Sequence, residues 1–182
     1  MRRFNAVLSM GILLLFIIHM VAGGFQLAGV LAGGSTVMKV LAYIMLVLII
    51  IHFVIGTKLT VDSLRLIKKS GASYFKENKL FWIRRISGFA IMFFILFHVL
   101  IFMGKSGDAY RLSVFEGAQL ASQILLVISV AVHVISNVRP MMISFGIKSF
   151  KELGIDIVLV LSVLLFLAGA AFVVYYLRWN VF

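Results

Sequence analysis

Apolar residues along this chain gather into five continuous runs, at roughly 5–31, 38–57, 86–104, 118–138 and 155–177. Each is close to the ~20 residues that a helix needs to cross the hydrocarbon of a bilayer. The runs lack the in-out alternation of a barrel strand, and backbone groups in lipid must be satisfied within their own segment, so the pattern predicts helices. Little chain remains between them. The expected fold is an all-α integral membrane protein, a five-transmembrane-helix bundle that makes one domain of 1–182.

Composition agrees with that pattern. With 63% hydrophobic residues, 13% charged residues and a mean hydropathy of +1.17, the chain lacks the polar surface of a soluble globule. Charge then orients the bundle. The N-terminus carries Arg2 and Arg3, and the connection after the second run carries Lys58, Arg65, Lys68, Lys69, Lys76, Lys79, Arg84 and Arg85. The connection after the fourth run adds Arg139, Lys148 and Lys151, whereas Lys39, Lys105, Arg111 and Arg178 fall on the opposite side. By the positive-inside rule the N-terminus is cytoplasmic and the C-terminus outside. The net charge of +11 is therefore a topology signal, and nucleic acid is not an expected partner.

The Met-Arg-Arg start, the apolar run and the small residues Ala22, Gly23 and Gly24 also have the outline of a secretory signal peptide. The run is longer than a usual signal core, so it is read as the first spanning helix. The chain has no cysteine, which leaves it unable to build an iron–sulfur cluster, a thiolate zinc site, a disulfide or a covalent haem attachment. Its acidic residues, Asp62, Glu77, Asp108, Glu116, Glu152 and Asp156, all lie between or at the ends of the runs. No run interior offers a carboxylate for proton relay or cation transport.

Four runs carry one histidine each: His19, His52, His98 and His133. An imidazole in hydrocarbon is costly unless a partner holds it. At a helix rise of ~1.5 Å per residue, His52 lies roughly 9 Å from the boundary at Lys58, and His133 the same distance from Arg139. Counted from Arg85 and Arg3, His98 and His19 lie about 20 Å and 24 Å from that boundary. The depths predict two pairs, His52/His133 near the cytoplasm and His19/His98 near the outside. One zinc ion cannot gather all four across that separation. Haem suits two facing imidazoles, because its iron takes axial nitrogen ligands and its macrocycle fills an apolar gap between helices.

Other polar residues share these faces. On the fourth run Gln119, Ser122, Ser129, Ser136 and Asn137 return to the His133 side and are candidates to orient imidazoles. Arg84 and Ser87 project within about 40° of the His98 direction. With Arg85, Lys58 and Arg139 nearby, Arg84 and Ser87 are candidates for haem propionates. Gly23 and Gly56, each four residues past a histidine, are places where a porphyrin would approach the backbone. The fifth run has no histidine and is expected to pack through Ala168, Gly169, Ala170 and Ala171.

The four-histidine order, with Arg84-Arg85-Ile86-Ser87-Gly88 ten residues before His98 and the segment His133-Val134-Ile135-Ser136-Asn137-Val138-Arg139-Pro140, resembles the dihaem cytochrome b membrane anchors of succinate dehydrogenases and fumarate reductases. The resemblance covers the first four helices. It implies two haem b, with His19 and His98 as axial ligands of the outer one and His52 and His133 of the cytoplasmic one, the same pairs that depth gives. It also implies a prokaryotic cytoplasmic (inner) membrane and, on its cytoplasmic side, an iron–sulfur subunit and a flavoprotein carrying covalent FAD. Dicarboxylate chemistry would belong to that flavoprotein, and this chain would be the electron-transfer subunit.

The quinone of such anchors, typically menaquinone, binds near the outer haem. Gln26 and Gln119 are the polar candidates there, and Arg84, Ser87 and Asn137 form a second candidate site on the cytoplasmic side. Some dihaem fumarate reductases carry a glutamate two residues before the fourth histidine, where this chain has Ala131. Without it, each electron crossing the bilayer would be coupled to the membrane potential at ~2.3 kcal/mol per 100 mV. Two other expectations fit the same residues. One is a haem b anchor of another oxidoreductase, such as a formate dehydrogenase or hydrogenase; the other is a haem-free transporter or scaffold.

Overall fold

The computed structural model describes residues 2–70, 78–102, 115–147 and 151–180. All regular structure among them is helical: α1 (Arg2–Leu27), α2 (Thr36–Ser70), α3 (Lys79–Phe102), α4 (Gly117–Ser144) and α5 (Lys151–Asn180). All five are long and apolar enough to cross a membrane, so the chain is a multi-pass membrane protein by length and composition. Lys76, Lys105, Arg111, Lys148 and the expected end of the third helix at 103–104 lie outside the described residues.

The helix ends differ from the apolar runs, each for a local reason. α1 stops at Leu27 although Val30 and Leu31 continue the apolar run to 31. Gly29 takes a left-handed φ of 79°, the Val30 amide donates to the Phe25 carbonyl at 2.9 Å, and the Gly29 amide donates to that of Gln26 at 3.0 Å. These two bonds make a Schellman stop, which a glycine at that position favours. α4 ends the same way: Gly146 has φ 81°, and the Ile147 amide reaches the Met142 carbonyl at 3.2 Å. α2, expected to end at 57, runs on to Ser70 through Lys58, Arg65, Lys68 and Lys69. Nothing from 58 to 70 breaks a helix, so lost hydropathy marks the end of the hydrocarbon rather than the end of the backbone ladder.

The helices alternate in direction. α1 packs on α2, α3 on α4, and α5 on both α1 and α4, with a lighter contact between α1 and α4. Two buried clusters follow α5. At the end opposite the basic one, Phe115, Ala171, Phe172 and Tyr175 close around Leu27. Toward the basic end, Leu161 meets Val138 and Met142, with Leu13 and Ile17 of α1 against them. Of the four small residues expected to pack α5, Gly169 and Ala171 sit at these contacts. A methyl group built on Gly24 would touch Ala171 at 3.8 Å, and one on Gly169 would touch Val127 at 3.9 Å.

Candidate functional site: two facing histidine pairs

Helices α1 and α3 form no extended interface, and neither do α2 and α4. Yet these are the helices that bring the histidines together. The ring centres of His19 and His98 lie 6.0 Å apart, and those of His52 and His133 lie 6.3 Å apart. The planes are close to perpendicular, at 75° and 87°. Each pair therefore meets edge to face between helices that share no extended interface. All four rings are only partly buried.

The second ring nitrogens show which way the imidazoles point. His133 Nδ1 lies 3.1 Å from the Arg84 carbonyl oxygen. A carbonyl only accepts, so Nδ1 carries the hydrogen and Nε2 keeps its lone pair. Ser87 Oγ, 3.2 Å from the same nitrogen, also donates to the Arg84 carbonyl, so it too accepts from Nδ1. The same reasoning settles His52. Ser9 Oγ donates its single hydrogen to the Asn5 carbonyl at 2.7 Å, so it accepts from His52 Nδ1 at 3.3 Å.

His98 is held most closely. Ser122 Oγ donates to the Gln119 carbonyl at 2.7 Å, which leaves it only an acceptor's role toward Gln123 at 3.0 Å. The Gln123 amide nitrogen must then face Ser122, and its Oε1 must face His98 Nδ1, 2.8 Å away. Three of the four rings are thus fixed as Nδ1–H tautomers. Their Nε2 atoms have no hydrogen-bond partner among the described residues, and neither nitrogen of His19 has one.

Local sequence builds these contacts. Pro140, the chain's only proline, sits inside α4 and has no N–H to return to the carbonyl of Ser136. Arg84 Nε takes that carbonyl instead, at 2.9 Å. Arg84 therefore straps α3 to α4 twice, by its side chain to Ser136 and by its backbone oxygen to His133. Gly88, one turn further along α3, lies under the ring. A Cβ there would come within 3.3 Å of His133 Cε1. At the other pair, Phe102 and Phe172 flank His98 with ring centres 5.1 Å and 6.3 Å away. α5 thus covers the His98 ring as well as packing the bundle.

The remaining candidates are engaged by the protein's own groups. Gln26 Nε2 closes its own loop on the Ala32 carbonyl at 3.4 Å. Gln119 Oε1 accepts from the Glu116 amide at 3.0 Å as half of the capping box that opens α4. Ser87 is buried, its hydroxyl committed to His133 and Arg84. The α4 stripe faces its own backbone: Ser129 bonds Leu125, while Ser136 and Asn137 both bond the His133 carbonyl. No member of that stripe touches an imidazole among the described residues. The groups that do are Ser9, Ser87, Gln123 and the Arg84 carbonyl. Ser9 and Gln123 were legible by the depth count used for the histidines. Ser9 lies six residues past Arg3, and Gln123 sixteen before Arg139, about 9 Å and 24 Å from the basic boundary. Gly23 and Gly56 face open space, with nothing within 4 Å of a Cβ built on either.

Among the described residues no cluster of three or more His, Cys, Asp or Glu side chains is placed to hold a metal ion, so a protein-only zinc or iron cage is not what this geometry offers. Two-coordinate imidazole pairs are. Were a metal ion bound at about 2.0 Å to one nitrogen of each ring, with both nitrogens turned toward it, the ring centres would stand roughly 6 Å apart. Both pairs stand at that spacing. No family model, no curated protein and no solved structure matches this chain.

Proposed function

We propose that this chain is a dihaem cytochrome b membrane anchor, the quinone-reactive electron-transfer subunit of a succinate:quinone or quinol:fumarate oxidoreductase. The observation that carries the reading is the repeated geometry of His19/His98 and His52/His133: two imidazoles from opposite helices, with ring centres at a separation compatible with one iron between them. Edge-to-face packing alone tolerates such a separation. It gives no reason for three Nδ1–H groups to be tied back while the Nε2 lone pairs stay unpartnered inside an apolar bundle. A ligating histidine needs that arrangement, its outer nitrogen donating to an oxygen that fixes tautomer and ring angle.

Haem bound by two imidazoles exchanges single electrons at its iron and has no vacant position for oxygen. The protein's part is to hold the rings. Ser9, Ser87, Gln123 and the Arg84 carbonyl orient three of them, Gly88 makes room for His133, and Phe102 of α3 and Phe172 of α5 flank His98. The two pairs sit at different depths, which makes them successive stations of a path across the bilayer. The basic end, with Lys58, Arg84, Arg85 and Arg139, faces the cytoplasm in this reading and receives the iron–sulfur subunit, itself bound to the FAD-containing flavoprotein. Quinone, in keeping with the resemblance menaquinone, exchanges electrons near the His19/His98 pair in a prokaryotic inner membrane.

Replacing His52 or His133 with alanine in the complex tests the pairing. One component of the reduced-minus-oxidised haem spectrum should vanish while the other persists. Loss of the His19/His98 component instead would refute the assignment. A co-purifying subunit with covalent flavin separates this function from an anchor for formate dehydrogenase or hydrogenase.

A further inference from the structure

The two pairs are not held alike. His52 Nδ1 has one long contact, to the Ser9 hydroxyl at 3.3 Å, and His133 Nδ1 shares its hydrogen between two oxygens at 3.1 and 3.2 Å. His98 Nδ1 has a single short bond, 2.8 Å, to an amide oxygen. Gln123 is completely buried, at 0% exposure. Its side chain has no freedom to turn away, because its amide nitrogen is committed to Ser122 and the Ser122 hydroxyl to the Gln119 backbone. That backbone is itself fixed in the first turn of α4 by the capping box with Glu116. A helix terminus thus anchors a relay that ends on one imidazole.

Such a bond does more than aim the ring. An acceptor on Nδ1–H draws the hydrogen toward itself, leaves more electron density on Nε2, and makes the imidazole a stronger donor to a metal. In a dry site the effect is not diluted by water. A stronger donor favours the more positive, ferric state of a bound iron. Given a haem at the His19/His98 pair, as proposed above, we infer that Gln123 is a positioning residue that sets the basicity of His98 and holds down the reduction potential of that haem alone.

The test is a redox titration of the two haem components in the purified complex carrying Gln123→Met or Gln123→Glu, with haem counted per chain. Methionine keeps the volume and removes the strong acceptor. The His19/His98 component should become easier to reduce by about tenfold in its equilibrium constant, which is 59 mV for one electron. The other component should not move. Glutamate presents an acceptor oxygen whether or not it is protonated, so its midpoint should equal or fall below that of the unsubstituted protein. If Gln123→Met loses one haem while Gln123→Glu keeps it at that midpoint, the acceptor is required and the inference stands. Unmoved midpoints in Gln123→Met with both haems present would overturn it, and so would equal haem loss in both variants, which would mark Gln123 as a packing residue. An unsubstituted protein without haem would overturn the proposed function instead.

Discussion

Gly88 and Ser9 carry the clearest consequences for single residues. A Cβ on Gly88 would sit 3.3 Å from His133 Cε1, and the branches of valine would go further into the ring. Gly88→Val should therefore displace His133 and lower haem content from two to one per chain, with the His19/His98 spectrum intact; retention of both haems would contradict the placement. Ser9→Ala removes the oxygen that accepts from His52 Nδ1. Loss of an outer partner of a ligating histidine weakens metal binding by about 10- to 100-fold. Because the 3.3 Å contact is long, the lower figure is expected, read as faster loss of one haem component to apomyoglobin. Neither residue stands out by hydropathy. A glycine or serine in a spanning helix is common and cheap, so type alone carries little information. Depth did carry it, since Ser9 shares a level with His52, and Gln123 shares one with His98. What depth cannot give is azimuth, and Gln123, although bonded to Ser122 of the polar stripe, lies beside the set of residues that return to the His133 face.

Among the elements, α3 and α4 are joined where a proline has opened the helix. Arg84→Ala would leave the Ser136 carbonyl without a donor, at a cost of about 1–3 kcal/mol for an unsatisfied buried group. In a Pro140→Ala background the amide of residue 140 regains its helical bond to that carbonyl, and the Arg84 substitution should cost less. A double-mutant cycle on thermal stability in detergent reads this coupling directly, and strict additivity would refute it. At the opposite end, α5 clamps α1. Arg178 Nη1 donates to the Leu27 carbonyl at 2.8 Å, and its guanidinium lies over Gly29. Gly29→Ala would add a methyl group within 2.6 Å of the guanidinium carbon, at a φ that costs an L residue roughly 1–2 kcal/mol. A lower melting temperature is the expected result. The existence and order of all five helices were legible in the hydropathy pattern. Their ends were not, because apolarity records where lipid stops, whereas capping bonds and glycine conformation record where a helix stops.

At the scale of the whole molecule, two bands of buried apolar side chains, both threaded by α5, hold the bundle while the paired histidine helices share no extended interface. That layout explains how the pairing could be found from boundary charges alone: in antiparallel spans, equal distance from one basic boundary means equal height. The contribution of α5 was hidden for the converse reason. It bears no unusual residue, and its Phe172 is ordinary for a spanning helix until the fold sets it against His98. The central claim is that each pair holds one haem, and it is tested most directly by the ratio of protohaem to polypeptide in the complex purified in mild detergent. Two b-type haems per chain is the predicted value. A chain that purifies intact and stably folded with no haem would contradict the account.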